Sequence, residues 1–167
     1  MNFLVASLAT LLAVNGAPPV EAKRCPAITQ MLVGARSFST LVGMAGCVTS
    51  SAQAFLVLYR ARDVDGFRAL AKASAPGAQL YGLCGLKHLH VDAEASDLRK
   101  KLEASRQETA VVFGEGASPK APVNKLVTAQ DGQPVSEFDA TCDYLVQHGT
   151  GPARHTCDSA SARLTCR

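Results

Sequence analysis

The chain of 167 residues contains no tryptophan, and its six phenylalanines and three tyrosines bring aromatic content to only 5%. Base-stacking platforms and ring-lined carbohydrate grooves need such side chains in number, so nucleic-acid and sugar binding are poorly provided for. The net charge of +3 comes from Lys and Arg residues scattered along the chain, with no basic stripe to track a phosphate backbone. No apolar run approaches the roughly twenty residues of a membrane-spanning helix. G-x-S-x-G, G-K-[ST] and G-x-G-x-x-G are all missing, which removes the serine-hydrolase elbow, the phosphate loop and the dinucleotide fingerprint. The nearest thing to an anion cradle, "FGEGASPK" (113–120), runs toward Pro119 and Pro122 rather than into a helix. The six cysteines, at 25, 47, 84, 142, 157 and 166, never stand closer than nine positions apart, whereas structural zinc sites use tight pairs such as C-x-x-C.

What is present begins with "MNFLVASLATLLAV" (1–14), an apolar run of secretory length, followed by "NGAPPVEAKR", in which Val20 and Ala22 fit the small-residue positions of a cleavage site. This pattern predicts a signal peptide over 1–22 with the cut before Lys23, Ala17 being the second choice, although no Lys or Arg precedes the run. "AKRC" is not a lipobox, so no lipid anchor is expected. The mature chain is read as secreted or periplasmic and free of the membrane after cleavage. It keeps 145 residues, enough for one domain with a proper core, and loses only Glu21 among charged side chains, so its charge becomes +4. An even number of cysteines in an exported chain points to disulfide bonds. Cys157 and Cys166 flank a short loop and would close it, leaving Cys25 with Cys47 and Cys84 with Cys142; this is one of fifteen connectivities.

Two stretches echo one another: "LVGMAGC" (41–47) and "LYGLCGL" (80–86) share two apolar residues, Gly, apolar, small, Gly. Each is followed by a second echo, "FRALAKAS" (67–74) after the first and "LRKKLEAS" (98–105) after the second. Two helical-hairpin units with loops of unequal length would give this pattern. Phe55, Leu58, Tyr59 and Arg62 fall at helical spacing, as do Phe67, Leu70 and Ala71, and Ala95, Leu98 and Leu102 form a further stripe. Asp63 or Asp65 is placed to cap one helix, and "SAPGA" (74–78) ends it. Gly82 and Gly85 lie three apart on one side of a run that is apolar nearly all round, and Gly43 and Gly46 repeat this in the first unit. Glycine inside a helix costs about 0.5–1 kcal/mol relative to alanine, so close approach of a neighbouring backbone is the expected compensation.

The expected fold is therefore mainly α: antiparallel helical hairpins, HEAT-like and two units long, over about 36–106. An irregular or β segment follows over about 107–135, in which "TAVVFGEG" (109–116) and "VNKLVTAQDGQP" (123–134) form a small β-hairpin. A C-terminal helix over about 136–148 opens on a capping box of Ser136 and Asp139 and stops at Gly149. The tail, 149–167, is tied down by its cysteines.

The chemically tempting stretch is "LYGLCGLKHLH" (80–90). Cys84 and His88 stack on one helix face with Asp92 a turn further on, but residues in one column point the same way rather than converging on a reacting atom. His88, His90 and Asp92 could share a metal with His148 or His155 only if the helix ends before His90, because residues two apart on a helix diverge. The pairs Glu94 with Asp97 and Asp139 with Asp143 read as solvated surface. No catalytic residue, cofactor or metal ligand is assigned.

The words "SAPGAQLYGLCGLKHL" (74–89) resemble a pattern of uncharacterised exported helical proteins of myxobacteria that carry an "LYALCGL"-like motif. The resemblance covers about Phe67 to Arg106, implies export and helical structure, and carries no catalytic residue. The expected function is an exported non-enzymatic module that binds another protein through a helical surface or serves a structural role. The rival is a small exported hydrolase or metal-dependent enzyme built on His88, His90 and a histidine of the second half.

Overall fold

The computed structural model describes residues 23–42, 47–114, 116–117, 119–149 and 166. The signal segment (1–22), the glycines of the first echo (43 and 46), His155 and Cys157 lie outside the described residues. The chain runs α1 (Pro26–Val33), β1 (Ser37–Val42), β2 (Cys47–Val48), α2 (Ser50–Arg60), α3 (Val64–Ala71), α4 (Pro76–His88), α5 (Asp92–Glu103), β3 (Glu108–Gly114), β4 (Gly116–Ala117), β5 (Ala121–Pro122), α6 (Val123–Val127) and α7 (Glu137–Gly149). The fold is mainly helical with a small sheet, and a Cys25–Cys166 disulfide ties the end of the tail to the start of α1.

The helices begin and end where local chemistry dictates. Thr49 caps α2 by accepting the Ala52 N–H, and Asp63 caps α3 by accepting that of Gly66. Pro76 occupies the first turn of α4, where its missing N–H costs nothing. Ser136 and Asp139 form the expected capping box of α7: the Asp139 N–H donates to Ser136 Oγ, which in turn donates to the Asp139 carboxylate. The predicted stripes face inward, with Phe55, Leu58, Phe67, Leu70 and Leu102 fully buried.

Two expectations of secondary structure fail for identifiable reasons. Residues 37–42 sit inside the stretch assigned to helical hairpins, yet they form β1, paired antiparallel with β2 and parallel with β3. The echo "LVGMAGC" follows directly on "SFST", and the join makes "SFSTLV", whose β-branched and aromatic residues favour a pleated surface. Residues 123–127, read as the second strand of a hairpin, are instead the helix α6. Val123, Leu126 and Val127 are its buried residues, and that i, i+3, i+4 spacing is the helical period. β3 pairs instead with β1, β4 and β5, so the strand order is β2-β1-β3-β4 with β5 also on β3.

The scarcity of aromatics is matched by their placement. Phe138, Phe38, Tyr81, Phe55 and Phe67, all fully buried, make a continuous spine with successive ring centroids 5.4, 4.8, 5.8 and 5.5 Å apart, the range of favourable tilted pairs. Phe38 comes from the sheet, Phe138 from α7 and the other three from α2, α3 and α4, so one run of rings joins both layers. The Tyr81 hydroxyl makes three contacts with Ser39: it receives the backbone N–H, donates to the carbonyl and meets Oγ, each at 2.9 Å. These contacts sit at the register irregularity between Ser39 and Val42. Burial pushes the Tyr81 phenol up to about 12, so it stays protonated and able to donate. Tyr81→Phe should leave the Ser39 backbone groups without partners and lower stability by about 1–3 kcal/mol in a denaturant titration. A change below 0.5 kcal/mol would show that the hydroxyl does not hold β1 to α4.

Among the described residues, α3 and α4 share the most extensive helix–helix packing, and the predicted glycine step permits it. A Cβ on Gly82 would lie 2.6 Å from the backbone nitrogen of Ala71, and one on Gly85 would lie 2.2 Å from the ring of Phe67. Gly77 does the same at the start of α4, against the backbone of Ala35 and Ser37. α4 is accordingly buried along its whole length from Gly77 to Leu86.

Candidate functional site

The stretch 80–90 resolves into a buried helix and the cap that ends it. Cys84 is fully buried and disulfide-bonded to Cys142 of α7, as one of the expected pairs had it. The other two expected pairs are corrected: Cys25 joins Cys166, so neither Cys25–Cys47 nor Cys157–Cys166 forms. The short-loop preference fails because Cys25, at the start of α1, sits in the core at 2% exposure, bonded to Cys166. Cys47 is disulfide-bonded as well.

His90 is a helix terminator. It stands in the left-handed region at φ 61°, its N–H donates to the Lys87 carbonyl, and the Val91 N–H reaches back to Leu86. This is the Schellman arrangement, with histidine where glycine is usual. Arg62 ends α2 in the same way at φ 52°, with Asp63 N–H donating to Leu58. His90→Gly should therefore stabilise the protein by about 0.5–1 kcal/mol, measured as a rise in melting temperature. A loss of stability would give the imidazole a role beyond chain reversal.

The C-terminal end of α4 meets α7 and α5 in a charge cluster. Lys87 Nζ donates to Asp143 at 2.9 Å and to Asp139 at 3.1 Å, and Arg99 donates to Asp139 at 2.6 Å and to the Val127 carbonyl at 2.8 Å. His88 Nε2 lies 3.0 Å from the same Asp143 oxygen. The Arg99 guanidinium also sits over the Phe138 ring, 5.7 Å from its centroid. Two cations face two carboxylates around a half-buried imidazole, so the cluster is close to neutral. Asp139, expected on a solvated face, is only 18% exposed at its side chain, because the basic end of α4 and Arg99 of α5 both converge on it. Glu94 is likewise claimed, by the fork of Arg68 at 2.6–3.1 Å, while Asp97 stays on the surface beside Lys100.

Electrostatics sort these groups by role. Burial would raise the Asp139 carboxyl, but the Arg99, Ser136 and Lys87 hydrogen bonds outweigh it and hold it below the usual carboxylate value. Burial likewise opposes the Lys87 ammonium, and the Asp143 and Asp139 bonds more than offset it, holding it above its usual value. For His88 burial wins: it lowers the imidazole below 6.5 despite the bond to Asp143. Neutral His88 then gives its single N–H to Asp143.

The signs of both shifts agree for acid. A depressed Asp139 contributes stability that is present above its unfolded value of 3.8 and is lost as pH falls through the folded value. A depressed His88 makes the unfolded chain take up protons first as pH falls below 6.5. Stability should thus decline in two steps on acidification, and Asp139→Asn should flatten the lower one while costing about 1 kcal/mol near neutrality from the weakened cap and ion pairs. Thermal melts between pH 7 and pH 3 would read this; an unchanged lower step in the variant would remove Asp139 from the account.

Among the described residues, His88, His90 and His148 do not gather into one metal-binding group. His90 and Asp92 are exposed, and His148 is exposed with its ring against Tyr144, centroids 4.2 Å apart. Among the described residues, the one group of three or more potential metal-binding side chains is Cys84, His88 and Cys142, whose ligand atoms lie within 4.8 Å of one another. Elsewhere, a groove of about 420 Å³ between α1 and α3 contains Asp63, but that carboxylate spends its oxygens on the N–H groups of Cys25 and Gly66. Among the described residues, no helix is long and apolar enough to cross a membrane. No family model, curated protein or solved structure matches this chain.

Cys84 and His88 stand out in the sequence, whereas Lys87, Arg99, Asp139 and Asp143 show themselves as a unit only in the fold. The sequence signal was partial: Asp139 and Asp143 stand four apart on one face of a predicted helix, but their cations, Lys87 and Arg99, come from two other segments.

Proposed function

We propose that the protein is an exported, non-enzymatic, disulfide-stapled module that acts outside the cytoplasm, secreted or periplasmic, and offers a helical surface to another protein. In this reading residues 1–22 are a signal peptide removed before Lys23. The observation that carries it is the fate of Cys84. The nucleophile of the tempting stretch is fully buried and bonded to Cys142, while the neighbouring His88 commits its N–H to Asp143. Disulfides persist in oxidising compartments, which supports export. The resemblance of residues 74–89 to exported helical proteins of myxobacteria points the same way. The HEAT-like character rests on four successive helices, α2 to α5, and repeat folds of that kind commonly present extended surfaces to partners.

Thiol titration in denaturant, metal analysis and amino-terminal sequencing of protein recovered from an export-competent host test this together. The expected result is six oxidised cysteines, no stoichiometric metal and Lys23 as first residue. A free Cys84, or an ion bound through His88 and His90, would replace the module with a metal-dependent or thiol enzyme.

A further inference from the structure

The Cys84–Cys142 disulfide does not lie among hydrocarbon alone: a ring nitrogen of His88 completes a three-atom group with the two sulfurs, all within 4.8 Å. We propose that, once this disulfide is opened by a two-electron reductant, Cys84, Cys142 and His88 form a tetrahedral zinc site that holds α4 to α7 in place of the S–S bond. This goes beyond the module reading, which concerns the oxidised protein, and it uses a different ligand set from the His88/His90 enzyme considered above.

The geometry favours zinc at several levels. Cys84 and His88 are four apart on α4, so they project from one face, and Cys142 approaches from α7 with a Cα–Cα distance of 5.8 Å to Cys84. Tetrahedral zinc takes thiolate sulfur at about 2.3 Å and imidazole nitrogen at about 2.0–2.1 Å, which places ligand atoms roughly 3.5–3.8 Å apart. The sulfurs need only separate from bonding distance to that spacing while the imidazole closes in from no more than 4.8 Å. Asp143 accepts from His88 Nε2 at 3.0 Å, leaving the other ring nitrogen with its lone pair. A carboxylate behind a ligating histidine is the usual means of fixing its tautomer and orientation. Two thiolates neutralise the dication, so the occupied site adds no net charge to a buried junction. His88, 21% exposed, faces the solvent side, where water would supply the fourth ligand and ions would enter.

The chemistry balances with a water-soluble phosphine as reductant. The phosphine takes the oxygen of one water molecule and becomes the phosphine oxide, the S–S bond breaks, and the two hydrogens of that water end on the two thiols. Zinc then displaces both thiol protons into solvent.

The test uses the full mature chain, reduced with a phosphine in the absence of oxygen and titrated with cobalt(II) and then zinc. Wild-type protein is expected to take up one cobalt with the visible bands of tetrahedral thiolate coordination, zinc should displace it, and oxidised protein should show neither. Because reduction also opens the other disulfides, the comparison that decides is with variants keeping the remaining cysteines. Cys142→Ser should abolish the tetrahedral spectrum, His88→Ala should weaken zinc binding at least tenfold, and Asp143→Asn should weaken it about tenfold or more. His88→Ala remains disulfide-bonded when oxidised, so its fold is checked by circular dichroism before reduction. If the reduced wild type unfolds without metal, zinc should restore the helical signal. Absence of tetrahedral bands, no restoration of structure by zinc, or equal affinity in His88→Ala would each overturn the proposal. Zinc found in the protein as first isolated would overturn the oxidised-module reading and leave this one standing.

Discussion

Replacing both Cys84 and Cys142 with alanine is expected to lower stability by about 4 kcal/mol, the loop-closure value for a cross-link spanning 58 residues. For a domain of this size that corresponds to a fall in melting temperature on the order of 10 °C. The cross-link fixes α7 against α4 below the charge cluster, so its removal should also loosen Lys87 and His88 from Asp143. Calorimetry of oxidised wild type and the double variant measures the first effect, and the acid limb of the stability profile measures the second. A loss below 1 kcal/mol would mean that packing around Phe138 and Leu145 already holds α7, with the bond adding little.

Gly82→Ala should destabilise the protein, against the ordinary preference of helices for alanine. Propensity alone favours the change by up to about 1 kcal/mol. Against that, the new methyl would stand 2.6 Å from the Ala71 nitrogen, a backbone atom that cannot swing aside, so α3 must move off α4. Overpacking of this kind costs typically 1–3 kcal/mol beyond any propensity gain. Gly34, at the end of α1, provides the control: no atom lies within 4 Å of its would-be Cβ and its φ is −94°, so Gly34→Ala should be neutral or slightly stabilising. A more stable Gly82→Ala variant would refute the close α3–α4 approach.

These two predictions show which parts of the molecule can be read from its residues. The glycine step at 82 and 85, the capping box at 136 and 139, the cap at 63 and the inward stripes were legible because each depends on chemistry within one or two turns of chain. The Cys84–Cys142 pair was legible only by elimination, and the elimination went wrong for Cys25. Its partner is 141 residues away, and no local rule reports which distant segment returns to α1. β1 was misread because "LVGMAGC" and "LYGLCGL" look alike while their neighbours do not: "SFST" favours a strand, whereas "SAPGA" starts a helix at Pro76. The charge cluster was missed because its members come from α4, α5 and α7 and meet only in three dimensions.

The Cys25–Cys166 bond has a topological consequence. With these two half-cystines 5.1 Å apart between their Cα atoms, the chain from one to the other is a covalent ring. Among the described residues, the surface turn at Asp131 and Gly132 is an open stretch of that ring, exposed on both sides and free of regular structure. A single protease cut there would open the ring without releasing a fragment. The nicked molecule would keep its mass, apart from one added water, until a reductant separated the pieces.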